Sequence, residues 1–134
     1  MIGHTIDLEG NFDDALDRVT EALAAEGFGV ITRIDMDKTF KQKLGVDFRR
    51  YVILGACNPQ LAHRAVSDAS EIGLLLPCNV TVEATDTGTR VRLLDAEGMI
   101  GGAGMGDSIT LAELAEDAGT RLARVAETLT QTNQ

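Results

Sequence analysis

The chain alternates between two hydrophobic periods, and the switches between them outline its elements. Ile2, His4, Ile6 and Leu8 alternate with Gly3, Thr5 and Asp7, the period of a half-buried strand. Asn11 then offers a helix N-cap, Asp13 and Asp14 favour the first turn electrostatically, and Phe12, Ala15, Leu16, Val19 and Leu23 recur at helical spacing up to a stop at Gly27. Phe28, Val30, Thr32 and Ile34 return to period two as a second strand. A short helix follows, capped by Asp35 or Asp37, with Phe40 and Leu44 expected inward and Gly45 ending it.

Arg49 to Ala56 is apolar almost without interruption, which predicts a central strand buried on both faces. Asn58 and Pro59 have the residue types of an N-cap and first helical position, and Leu61, Ala62, Ala65, Val66 and Ala69 supply the expected inner face. Beyond Gly73, Cys78, Val80, Val82 and Ala84 alternate with Asn79, Thr81, Glu83 and Thr85. A turn at Asp86-Thr87-Gly88 brings Val91 and Leu93 back against Arg90 and Arg92, a hairpin with one wet or interface face. The glycine-rich stretch Gly98 to Gly106 reads as a loop. Thr110-Leu-Ala-Glu113 has the form of a capping box, with Asp107 or Ser108 as earlier capping positions. Leu111, Leu114, Ala118, Leu122, Val125 and Leu129 then lay a stripe along a helix of about five turns.

The sum is an α+β fold of one domain over residues 1–134, in the order β-α-β-α-β-α-β-β-α. A mainly antiparallel sheet of about five strands carries helices on one face, because a doubly wound parallel sheet would bury both faces of most strands.

Composition narrows the functions this fold could serve. With 21 acidic against 12 basic residues the net charge is −9, unsuited to a phosphate backbone or an anionic bilayer, and four phenylalanines with one tyrosine leave little to stack on bases. Neither nucleic acid nor membrane is an expected partner. The apolar runs are far shorter than the ~20 residues of a membrane span, and the opening Met1-Ile-Gly-His-Thr5 lacks a signal peptide's basic and apolar regions. The expectation is a soluble cytoplasmic protein. Lys38, Lys41 and Lys43 form the one local cluster of positive charge, read as a solvated face.

Candidate chemistry concentrates on two cysteines in similar settings, Tyr51-Val-Ile-Leu-Gly-Ala-Cys-Asn-Pro59 and Leu74-Leu-Leu-Pro-Cys-Asn-Val80. Cys57 is placed before a helix N-terminus, where free amides and the dipole favour a thiolate; a small buried hydrophobe is the competing reading. Cys78 begins a strand. If that strand lies antiparallel to the one ending at Cys57, both sulfurs reach the same edge of the sheet. Cys57, Asn58, Cys78 and Asn79 are therefore the candidate ligand-binding residues, and Cys57 and Cys78 the catalytic candidates.

The spacing is neither Cys-x-x-Cys nor that of a zinc ribbon, and His4 and His63 add no recognisable ligand pattern. No cofactor is expected, a thiolate-bound soft metal being the minor alternative. Gly102-Ala-Gly-Met-Gly-Asp107 lacks the strand context and spacing of a dinucleotide loop.

With Asp35-Met-Asp-Lys-Thr-Phe-Lys-Gln-Lys-Leu-Gly45, Ala62 and Asp95-Ala-Glu-Gly-Met99, the two cysteine motifs make nearly the whole chain resemble a prokaryotic family, domain of unknown function 302. The resemblance implies a compact α+β domain, generally homodimeric, with no established activity. Ala96 stands where the family usually has proline, and the stretch from Gly101 to Asp107 is longer than typical.

The leading functional expectation is a homodimeric module whose cysteine edge binds a small ligand or a protein partner. The alternatives are a thiol-dependent redox or sulfur-transfer protein, in which Cys57 attacks and Cys78 resolves, and a purely structural assembly unit.

Overall fold

The computed structural model describes residues 2–104 and 108–132. Among them, β1 (Gly3–Leu8), β2 (Gly29–Asp35), β3 (Tyr51–Cys57), β4 (Cys78–Ala84) and β5 (Thr89–Leu94) form one sheet in the order β1-β5-β4-β3-β2, every neighbouring pair antiparallel. The helices are α1 (Phe12–Ala25), α2 (Met36–Leu44), α3 (Pro59–Asp68), α4 (Ala96–Gly102) and α5 (Ile109–Thr132), with a 3-10 turn at Ser70–Leu75. The order read from the sequence holds, with this turn and α4 interposed. Strands β2 to β5 follow one another across the sheet, so α1 must carry the chain from β1 at one edge to β2 at the other.

Alternation sorts the two faces. Ile6, Leu8, Val52, Leu54, Val80, Val82, Val91 and Leu93 are buried on one side, against Leu16, Val19 and Leu23 of α1 and Leu122, Val125 and Leu129 of α5. Every residue of the α5 stripe named from its spacing is buried. The opposite face carries charge: Arg90 donates to Asp7 at 2.7 Å, and Glu83 accepts from Arg49 at 2.8 Å and from Arg92. Glu83 is only 4% exposed, so its two cationic partners must replace the hydration it has lost.

Several local expectations are revised. Strand β3 is not buried on both faces: Val52, Leu54 and Ala56 are covered, while Tyr51 and Ile53 are half-buried on the charged side. In β2 the pairing with β3 skips Ile31 between Val30 and Thr32. This bulge reverses the parity of the strand, leaving Ile31 and Ile34 exposed. Phe40 and Leu44 do not point inward, since α2 buries none of its residues; Phe40 packs edge-on against Phe48 at 5.3 Å. Asp35 stands at the N-cap of α2 without capping, its carboxylate being taken by Arg33, whereas Gly45 ends the helix in the left-handed region as expected.

On α3 only Ala65 is buried, and Val66 is exposed. The Gly98 stretch read as a loop begins instead as α4, capped by the Asp95 carboxylate, which accepts from Gly98 N–H at 3.1 Å. Ser108 rather than Thr110 caps α5, accepting from Leu111 N–H at 3.1 Å and donating to Asp68 at 2.8 Å. Met105, Gly106 and Asp107, and with them part of the glycine-rich stretch, lie outside the described residues.

Burial raises the Glu83 pKa, but the bonds from Arg92 and Arg49 outweigh it and hold the carboxyl below the usual range. A carboxyl depressed in the folded state stabilises the fold above its unfolded value of about 4.3 and loses that contribution as pH falls through the native value. Glu83→Gln is thus expected to lower the thermal midpoint at neutral pH, by a margin that narrows steadily towards pH ~3. A margin independent of pH would contradict this account of the ion triad.

Candidate functional site

The site forms where β3 ends and β4 begins. Their register pairs Ala56 with Cys78 and Gly55 with Asn79, so Cys57 stands one position beyond the Cys78 partner. Residue type permits this tight junction at one point above all. A Cβ on Gly55 would collide with the Thr32 hydroxyl and come within 2.7 Å of Pro77 Cγ, so only glycine lets β2 and the approach to β4 close over β3.

At Asn58 the chain turns into α3. The Asn58 side-chain oxygen accepts from Leu61 N–H at 3.2 Å, and Pro59 occupies the first turn. The Asn58 side-chain nitrogen lies close to Gly27, where a Cβ would stand 2.9 Å away and where φ is +85°. Glycine at the end of α1 is therefore required twice, by backbone conformation and by the approach of the α3 cap. Arg121 of α5 adds a third tie, donating to the Glu26 carbonyl at 3.0 Å.

Beneath this junction is a cavity of about 50 Å³, several times the roughly 10–15 Å³ that one water requires. Both cysteines line it. Its walls are otherwise almost wholly apolar: Phe28 and Ala56 at the strand ends, Leu61, Ala62 and Ala65 of α3, Ile72, Leu76 and Pro77 before β4, Ala96 and Ile100 of α4, and Leu111, Leu114 and Ala118 of α5. Asn58 is the polar member of the lining. Ala65, Ile72, Leu111 and Leu114 belong to a second small core that joins α3 and the 3-10 turn to α5.

The four residues singled out from the sequence are thus unequally placed. Cys57 is half-buried and Cys78 buried, and both thiols are free. Asn58 is committed to capping. Asn79 is exposed and, by strand alternation from Cys78, faces the other side of the sheet and is not part of the lining. Phe28, read from the sequence only as the start of the second strand, and Ile72 and Ile100, in a 3-10 turn and a short helix too brief to show a period, were not anticipated as lining. Among the described residues, no group of three or more His, Cys, Asp or Glu side chains is arranged to hold a metal, and no helix is long and apolar enough to cross a membrane.

The two sulfurs differ chemically. Burial, reinforced by the proximity of Cys57, pushes the Cys78 thiol up to about 11, so it stays protonated at neutral pH.

The family model described as "Domain of unknown function DUF302" matches residues 4–129. The chain belongs to this family. It is also similar to the crystal structure of an uncharacterized conserved DUF302 protein from Bacillus stearothermophilus, with a TM-score of 0.84 and 29% sequence identity over 96% of this chain and 98% of that one. No match was found among curated proteins. Family membership and the shared fold agree with the resemblance carried by the two cysteine motifs.

Brief iodoacetamide treatment of the native protein at pH ~8 is expected to add one label, at Cys57, because only thiolate reacts and Cys78 is both buried and protonated there. After denaturation two labels should appear. Intact-mass measurement with peptide mapping decides it, and rapid labelling of native Cys78 would refute the assignment.

Proposed function

We propose that this DUF302 protein is a homodimeric binding module whose cavity takes a small, largely apolar ligand at the cysteine-lined edge. The observation that carries the reading is the convergence of Cys57 and Cys78 on one cavity with aliphatic walls and a single polar side chain, Asn58. Such a lining rewards desolvation of an alkyl or thioether group and offers little to a charged or heavily hydroxylated one. The cavity volume favours a ligand of few heavy atoms, or the tip of a longer chain. Cys57, half-buried at the rim, supplies a polarisable contact, while Cys78 serves as an apolar wall.

The thiol-exchange alternative draws weaker support. Resolution by Cys78 would require a thiolate at the sulfur whose pKa is pushed up to about 11. A soft metal shared by the two sulfurs would likewise have to displace the Cys78 proton in an apolar setting.

The binding reading is tested by calorimetric titration with hexanol, hexanoate and butanethiol, beside native mass spectrometry of freshly purified protein for a retained ligand. Saturable binding of the alcohol or the thiol in preference to the carboxylate is expected. Ala62→Phe, which projects a ring into the cavity from α3, should weaken binding at least ~10-fold, on the order of 1.4 kcal/mol, with the circular dichroism spectrum retained. Absence of saturable binding by all three probes together with no retained ligand would refute the reading, as would unchanged affinity in folded Ala62→Phe.

A further inference from the structure

We infer that two copies of this chain join about a two-fold axis at β2, Ile31 and Ile34 meeting at the centre and the basic α2 of each copy lying against the acidic end of α1 in the other. The inference rests on the dimer proposed above and names its surface.

The sheet has two outer edges, and they differ in chemistry. On β1 the exposed side chains are Thr5 and Asp7, the latter engaged by Arg90. On β2 they include Ile31 and Ile34, 61% and 47% exposed, beside Arg33, whose charge is met within the strand by Asp35. Apolar side chains on an open edge invite pairing with another chain, whereas charge discourages it. The exposed apolar surface extends from β2 along its continuation, through Leu44, Val46 and Phe48, and α2 has no buried residue of its own. This arm adds nothing to the core of its own copy.

Charge identifies the occupant. Residues 36–50 hold five cations and two carboxylates; Lys41, Arg49 and Arg50 are paired within their own copy with Asp47, Glu83 and Asp13, which leaves Lys38 and Lys43 pointing outward on a chain whose net charge is −9. The arm therefore fits a surface like the rest of its own chain. The order of elements sharpens the match: β2 is entered from the C-terminal end of α1, with Glu21 exposed, Glu26 held by Arg124, no basic residue in the last turn and the negative pole of the helix dipole. It is left through Lys38, Lys41 and Lys43 of α2. When a strand pairs antiparallel with its own copy, each strand's exit lies beside the other's entrance, so both basic arms meet acidic helix ends in one symmetric contact. The bulge at Ile31 interrupts a regular ladder, so side-chain packing and charge, more than backbone pairing, hold the interface. A two-fold contact of this kind closes on itself.

Sedimentation velocity and light scattering over a concentration series, at low and high salt, test the surface on the full chain. Wild type should sediment as two chains, its affinity falling as salt rises. Ile31→Glu/Ile34→Glu should weaken association at least ~10-fold, Lys38→Glu/Lys43→Glu should also weaken it and reduce the salt response, and adding Glu21→Lys/Glu26→Lys to the latter should restore it. Thr5→Glu on the opposite edge should change nothing, and circular dichroism should show every variant folded. A monomeric wild type would overturn both the dimer and this surface. A dimer unaffected by the β2 substitutions, or broken by Thr5→Glu, would overturn the surface alone.

Discussion

The pairing of β3 with β4 is the constraint on which the rest of the structure depends. Its register, with Val52 on Val82, Leu54 on Val80 and Ala56 on Cys78, puts one uninterrupted apolar surface under the helices. A slip of one residue would turn that surface out and bring the charged ladder in. The same register sets where the chain leaves β3 and enters β4, and hence that both cysteines reach the rim of one cavity. Gly55 allows the neighbouring segments to close over this junction, and Glu83, held between two arginines, fixes the other face.

The parts legible in the sequence are those that local chemistry decides. The α5 stripe follows a 3.6-residue period over five turns, and the caps at Asn11 and Asn58 are read from a few neighbouring residues; both asparagines accept the amide hydrogen bond expected of them. Three features escaped for separate physical reasons. One extra residue in β2 carries no compositional mark, yet it reverses the outlook of every side chain after it. The helix α4 is hidden by Gly98, Gly101 and Gly102, whose low propensity is overcome by the Asp95 cap and by packing on α5. The continuous apolarity of β3 suggested two covered faces where alternation covers only one.

The cavity was only half legible. That both cysteines border it follows from strand order, which the sequence supports. Its walls come from α3, the 3-10 turn, α4 and α5 together, and a volume enclosed by four distant segments has no linear signature. The unequal chemistry of the sulfurs has the same origin. Cys57 and Cys78 stand in similar local motifs, but one ends a strand at the rim and the other opens a strand beneath the helices, where burial, with Cys57 beside it, pushes the Cys78 thiol up.

The circuit of α1 across the sheet bears on how the molecule is made. Strand β1 precedes the other four strands, yet its hydrogen-bonded partners on β5 come between 81 and 91 residues later in the chain. Strands β2 to β5 can zip together in order as neighbours, each closing a short loop, whereas β1 must wait for the last of them and closes the longest. During synthesis β1 is therefore a spectator until β5 has emerged. Between the arrival of β5 and the docking of β1, the outer side of β5 is an open edge.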